Sequence, residues 1–289
     1  MTKQEIFNNS IVIVGAIGSG KSLFSEELAR KTGLPIITAD LLRHCPKNPN
    51  ELVDRISKLK NDYDKLSQTI QVTTNKEELE NLSKFASKLS NDIWSNERQL
   101  KMRKLLPNVA NYKEMGFDGR ASDFLRENFG ITAWHFYQKQ FENELLRQVV
   151  INLPCPAIID LGGGMAISLE KDYSFLTSKF KSLNEDLFNK HINIEKTGFN
   201  HIEKALKPFK NVLYLRLPIN YQKMKKARNN HDLNDLFINT KQYEKLSTLT
   251  IDTETIIEEE KINETMLSSV VNDIITKTKI TTKVENQQL

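Results

Sequence analysis

Apolar positions along the chain fall into segments of different period. Ile11-Val12-Ile13-Val14 is a β-branched run that stops at Gly15 and predicts a buried strand, the first organised element. Residues 16–20 form a glycine-rich loop. From Lys21 the period changes: Leu23, Phe24, Leu28 and Ala29 share one helical face, and Gly33 ends the helix. Residues 35–38 predict a second strand, ending at Asp40. Residues 156–161 predict a third, closed by Gly162-Gly163-Gly164, and 211–217 a fourth, ended by Pro218. Residues 249–252 predict a last short strand. Residues 133–150 and 265–277 read as helices, 115–130 as a loop leading into one, and 171–207 as a lysine-rich stretch with helical patches. Strands alternating with helices imply an α/β fold: a central parallel sheet with helices on both faces, in three layers.

Residues 49–107 differ from this pattern, with no strand signal. Leu52, Ile56, Leu59, Tyr63, Leu66 and Ile70 are spaced 4, 3, 4, 3, 4, and a second series runs Leu79, Leu82, Ala86, Leu89, Ile93. Between them Thr74 and Glu77 fit a capping box. The spacing predicts an antiparallel helical hairpin with a heptad-like seam. Such stripes serve ordinary packing, or a coiled coil that engages a partner. The expected organisation is a core of 1–44 and 108–281, an inserted hairpin or substrate cap at 45–107, and a flexible tail at 282–289.

Composition narrows the function classes. The 289 residues carry 41 Lys and Arg against 37 Asp and Glu, a net charge of +4. That balance is too weak and too evenly spread to predict a nucleic-acid partner. No stretch approaches the roughly 20 apolar residues of a membrane span, so no membrane partner is expected. The start, Met-Thr-Lys-Gln-Glu-Ile, lacks a secretory pattern. Cys45 and Cys155 are too few for a disulfide framework. A cytoplasmic protein with reduced thiols is the expectation.

The chemistry concentrates in Gly15-Ala16-Ile17-Gly18-Ser19-Gly20-Lys21-Ser22, a full match to G-x-x-x-x-G-K-[ST] between a predicted strand and a predicted helix. Glycines let successive N–H groups turn toward a phosphate, and the helix dipole adds positive potential. Lys21 can reach the β- and γ-phosphates, and the Ser22 hydroxyl can ligate Mg²⁺. Gly15, Gly18, Ser19, Gly20, Lys21 and Ser22 are the candidate ATP-binding residues. Asp160, at the end of an apolar strand, is placed to orient the Mg²⁺ shell or to cap the following turn. Gly162, Gly163 and Gly164 permit close approach of a ligand, at the end of a parallel sheet where ligands bind. Asp40 is either a carboxylate that meets a substrate hydroxyl or the N-cap of a helix beginning at Leu41. Arg120, Arg126, His135 and Lys139 are further polar candidates. Lys223, Lys225, Lys226 and Arg228 are a solvated face or a mobile lid whose cation stabilises a transferring phosphoryl group. The histidines show no metal-ligand spacing.

Taken together, GAIGSGKS, ITAD, IIDLGGGMAIS, NVLYLRLP and TIDT resemble the shikimate kinases, P-loop proteins of the nucleoside-monophosphate-kinase-like group. The similarity covers about 1–44 and 115–280, in the correct order. It implies a P-loop NTPase fold with ATP and Mg²⁺ as cofactors. Lys21 and Ser22 would hold phosphates and metal, Asp40 the substrate hydroxyls, and Gly162, Gly163 and Gly164 the substrate through backbone. The family's acidic Asp-x-Asp is Thr38-Ala39-Asp40 here, with Asp160 in place to take the metal role. The Phe-Arg pair that grips the substrate carboxylate corresponds to the region of His135 or of Gln138-Lys139, so His135 and Lys139 are the substrate-side candidates. The lid's Arg-Pro-Leu is missing at 229–233, with Arg228 close by, and the later Arg stands as Asn239, with Tyr243 retained.

The resemblance therefore predicts an ATP-dependent kinase, with Lys21 and Asp40 catalytic, that phosphorylates a hydroxyl of shikimate or another small molecule. The alternative is a nucleotide-binding regulatory protein with a degenerate substrate site. In that case the hairpin serves a protein partner or self-association.

Overall fold

The computed structural model describes residues 1–168, 191–217, 240–253, 256–258 and 261–280. Five strands form one parallel sheet: β1 (Ile11–Val14), β2 (Ile36–Thr38), β3 (Ile158–Asp160), β4 (Asn211–Arg216) and β5 (Leu249–Asp252), in the order β2-β3-β1-β4-β5. A separate antiparallel ribbon joins β6 (Ile257–Glu258) and β7 (Lys261–Ile262). The helices are α1 (Lys3–Asn8), α2 (Lys21–Thr32), α3 (Ala39–Leu42), α4 (Pro49–Val72), α5 (Lys76–Leu105), α6 (Gly119–Asn152), α7 (Phe199–Leu206), α8 (Gln242–Leu246) and α9 (Glu264–Thr278). A 3-10 turn, Ile194–Lys196, precedes α7.

β1 is apolar throughout, and β1, β3 and most of β4 are buried because helices cover both faces of the sheet there. Ile11, Ile13, Ile158, Leu213 and Leu215 share one core with Phe24 and Leu28 of α2 and with Leu267, Val271 and Ile274 of α9. Val12, Val14, Ile37, Ile159, Val212 and Tyr214 share the other, with Phe136, Leu145 and Val149 of α6 and Ile202 and Leu206 of α7. Alternation along each strand thus builds two cores, one on each side of the sheet.

Several elements differ from the sequence expectation. The chain's first element is α1, closed by a capping box between Thr2 and Glu5. Asn75, not Thr74, caps α5, its side chain accepting from the Glu77 and Glu78 N–H groups. Residues 119–129 are helical rather than loop. Asp118 caps that start, Ala121 and Leu125 bury one face, and Gly130 breaks the helix at φ 83°. The hairpin helices also run longer than the two apolar series. They pack on each other, and burial concentrates at their base: Leu52 and Ile56 on α4, and Leu89, Arg98, Met102 and Arg103 on α5. Met102 Sδ accepts the Thr38 N–H at 3.1 Å, so α5 covers the edge of β2. No helix among the described residues is long and apolar enough to cross a membrane.

Candidate functional site

Strand register decides which residues meet. Thr38 pairs with Asp160, and Ile13 pairs with Asp160 from the other side. The segments that leave β1, β2 and β3 therefore emerge side by side at the carboxyl edge of the sheet. Gly15, Asp40 and Gly162 each lie one or two residues beyond a strand end there.

The loop after β1 is shaped for close approach. A Cβ on Gly15, at φ 155°, would run into the Leu215 carbonyl and the Ser19 hydroxyl. Ser19 Oγ is buried without a hydrogen-bond partner. The loop delivers the chain into the first turn of α2, whose N–H groups have no intrahelical acceptors. Lys21 is buried, and Nζ donates to the Gly15 and Ala16 carbonyls at 3.0 and 2.9 Å. Burial lowers its pKa, against the opposing charges of Asp160 and Asp40. One residue on, Ser22 Oγ donates to Asp160 Oδ2 at 3.2 Å. Burial raises the Asp160 carboxyl to about 6, against the opposing pull of Lys21 and the Ser22 hydrogen bond.

Asp40 lies in the first turn of the short α3, not at its N-cap, which is Thr38. Its carboxylate rests against Gly162 so closely that a Cβ there would collide with all three carboxylate atoms. Gly163 in turn packs against the Ile17 backbone. The glycine loop, Asp40 and the glycine segment after β3 are thus in mutual contact.

The glycine segment is held from behind. Tyr243, fully buried and stacked on Tyr214, donates its hydroxyl to Gly163 O at 2.5 Å. Lys139 Nζ donates to Gly164 O at 2.6 Å and to Met165 O at 3.2 Å, and pairs with Glu142 at 2.5 Å. Gln242 binds both backbone groups of Ser168. His135 is buried on the same helix as Lys139. Desolvation, and then the Lys139 ammonium, push it to about 3, so it is neutral. As placed, Lys139 braces the glycine segment, and His135 lies buried on α6 within reach of the Lys139 and Glu142 charges.

Arg43 and Glu142 lacked a sequence signal of their own. Arg43 follows Asp40 by three residues on α3, with Nη2 3.6 Å from Asp40 Oδ1. Its Nε is buried and makes no hydrogen bond. The Lys139-x-x-Glu142 spacing, inside an apolar helix, was the one available hint of a buried pair. Arg120 and Arg126 stay outside this cluster: the Arg120 N–H joins the Asp118 cap, and Arg126 lies 5.9 Å from the Trp134 ring. Arg228, the rest of 223–228, 229–239 and the tail at 282–289 lie outside the described residues, as does 169–190.

The donor set suits a Mg²⁺–phosphate pair. No three of His, Cys, Asp and Glu gather as a metal cluster among the described residues. Mg²⁺ bound with phosphates needs only one or two protein oxygens, and Ser22 and Asp160 present a hydroxyl and a carboxylate side by side. A buried lysine, a helix N-terminus and a glycine-lined loop beside them are the parts an anion cradle needs. The chain finds no match among family models, curated proteins or solved structures, so its function is read from this geometry.

Proposed function

We propose that this chain is an ATP-dependent phosphotransferase of P-loop NTPase fold, resembling the shikimate kinases, that moves the γ-phosphate to a hydroxyl of a small acceptor. The observation that carries the reading is the contact between two half-sites. Lys21, Ser22 and Asp160 form one, suited to triphosphate and Mg²⁺. Asp40 against Gly162 forms the other, suited to a hydroxyl.

In this reading Lys21 and the N–H groups at the start of α2 hold phosphate oxygens, and Ser22 and Asp160 hold Mg²⁺. Mg²⁺ neutralises phosphate charge when bound. Lys21 exchanges its loop carbonyls for phosphate, a stronger charge-assisted partner. Asp40, half-exposed, accepts a hydrogen bond from the acceptor hydroxyl and orients it. Tyr243 and Lys139 draw the Gly163 and Gly164 carbonyls backward and fix the peptides that line the acceptor side. Most of the catalysis is then positioning and charge neutralisation.

A regulatory protein that presents the hairpin would need a continuous apolar face on it. Val53 and Val72 of α4 and Leu79, Phe85 and Trp94 of α5 are exposed, with Phe85 and Trp94, nine residues apart, about 180° from each other around the helix. The gathering of Lys21, Ser22, Asp40 and Asp160 at one sheet edge, which a scaffold does not need, is what favours the enzyme.

The test is ATP consumption with Mg²⁺, with and without shikimate, then across a panel of hydroxylated acceptors, with Lys21→Ala as blank. Acceptor-dependent turnover that disappears in the variant supports the proposal. Undiminished turnover in Lys21→Ala overturns it.

A further inference from the structure

Helix α5 buries two arginines five residues apart, and they are satisfied very differently. Arg103 spends its guanidinium on backbone. Nε donates to Pro46 O at 2.9 Å, Nη1 to Val109 O at 2.6 Å and Leu106 O at 3.2 Å, and Nη2 to Cys45 O at 3.1 Å. These bonds tie together the chain that enters and leaves the hairpin.

Arg98 is nearer the ligand edge. Its side chain is 10% exposed and lies over the Trp94 ring at 4.7 Å. Among the described residues one of its N–H groups is engaged, Nη1 with Glu26 Oε1 at 3.3 Å. Glu26 is one helical turn beyond Ser22 on α2, so Arg98 stands beside the turn that follows the anion cradle. It is also near enough to Asp160 for each charge to act on the other's ionisation.

A guanidinium keeps its proton in a protein. Burying one with a single long hydrogen bond leaves most of its desolvation uncompensated. Arg103 shows that this helix can give such a group a partner on each of its three nitrogens when the role is structural. The idle donors of Arg98 fit an anion that arrives from outside. The anion chemistry beside it is that of the triphosphate, whose oxygens accept from a guanidinium fork in pairs.

We infer that the inserted hairpin completes the triphosphate site, with Arg98 as the guanidinium that binds a phosphoryl oxygen of the nucleotide held by the glycine loop. The inference rests on the nucleotide reading above, and it gives the insertion a role in the reaction. Before the nucleotide arrives, Glu26 holds Arg98 in place. On binding, phosphate competes for the same donors.

The test is calorimetric titration with Mg·ATP of the full chain and of three variants. Arg98→Met is expected to weaken binding about 10- to 100-fold, the loss of one charge-assisted contact. Arg98→Lys should recover part of it, because charge remains but the fork does not. Glu26→Gln should bind as tightly as the parent or more tightly. If Arg98→Met binds normally, or if Glu26→Gln loses as much as Arg98→Met, the pair only fastens the hairpin to α2 and the inference is overturned. Trp94 gives a readout that needs no change at Arg98. With Trp134→Phe in the background, saturation with Mg·ATP should alter Trp94 emission, and unchanged emission overturns the inference. If the parent chain does not bind Mg·ATP at all, the nucleotide reading falls first and takes this one with it.

Discussion

Asp160→Asn should make the nucleotide-free protein more stable while weakening its response to Mg·ATP. The carboxyl is buried, and its proton is held up to about pH 6 where an ordinary aspartate loses it near 3.8. Each tenfold change in that equilibrium is about 1.4 kcal/mol. Ionising Asp160 in the fold therefore costs about 3 kcal/mol at neutral pH, with the attraction of Lys21 already counted. The sign follows from linkage. The folded pKa is above the unfolded one, so the stability this group contributes is complete below about pH 4 and is lost as pH rises through about 6. Asparagine has no charge to bury and can still accept from Ser22. Urea unfolding without nucleotide should then show the variant about 3 kcal/mol more stable near pH 7.5 and about half that near pH 5. Mg·ATP at a concentration that saturates the parent should stabilise the parent more than the variant. A variant less stable than its parent at neutral pH, or a gain independent of pH, would refute the argument that burial dominates at Asp160.

Two more perturbations separate site from scaffold. Gly162→Ala places a methyl closer than 3 Å to the Asp40 carboxylate. It should lower acceptor phosphorylation on the order of 100-fold while Mg·ATP affinity holds within about twofold, and unchanged turnover would dismiss the close contact as irrelevant. Arg103→Met removes the bonds to the Cys45, Pro46, Leu106 and Val109 carbonyls. It should cost about 3 kcal/mol in urea unfolding, and a cost below about 1 kcal/mol would mean the hairpin base needs no such lock.

What could be read directly were features built from neighbouring residues. β1, the glycine loop and α2 are contiguous, and their β-branched run, glycines and helical stripe announce themselves within twenty-odd positions. The hairpin was equally legible, because its two apolar series need only each other. Local competition explains the misses. Asn75 outcompeted Thr74 as cap because its side-chain oxygen accepts two N–H groups. Residues 119–129 carry glycine at both ends, which masked a helix that Asp118 starts. The short α1 holds a Thr2-x-x-Glu5 capping signature, but with one buried residue, Ile6, it has no apolar stripe to mark it as a helix.

Periodicity and contiguous motifs carry the parallel α/β architecture, the glycine-rich loop between β1 and α2, and the helical hairpin between β2 and β3. Only packing between distant segments brings Asp40 against Gly162, Lys139 to the Gly164 carbonyl, and Arg98 to Glu26, which lies one turn from Ser22. The physical reason is strand register. Thr38, Asp160 and Ile13 are brought abreast by hydrogen bonds between distant parts of the chain. No local pattern encodes which side chains then converge beyond the ends of those strands.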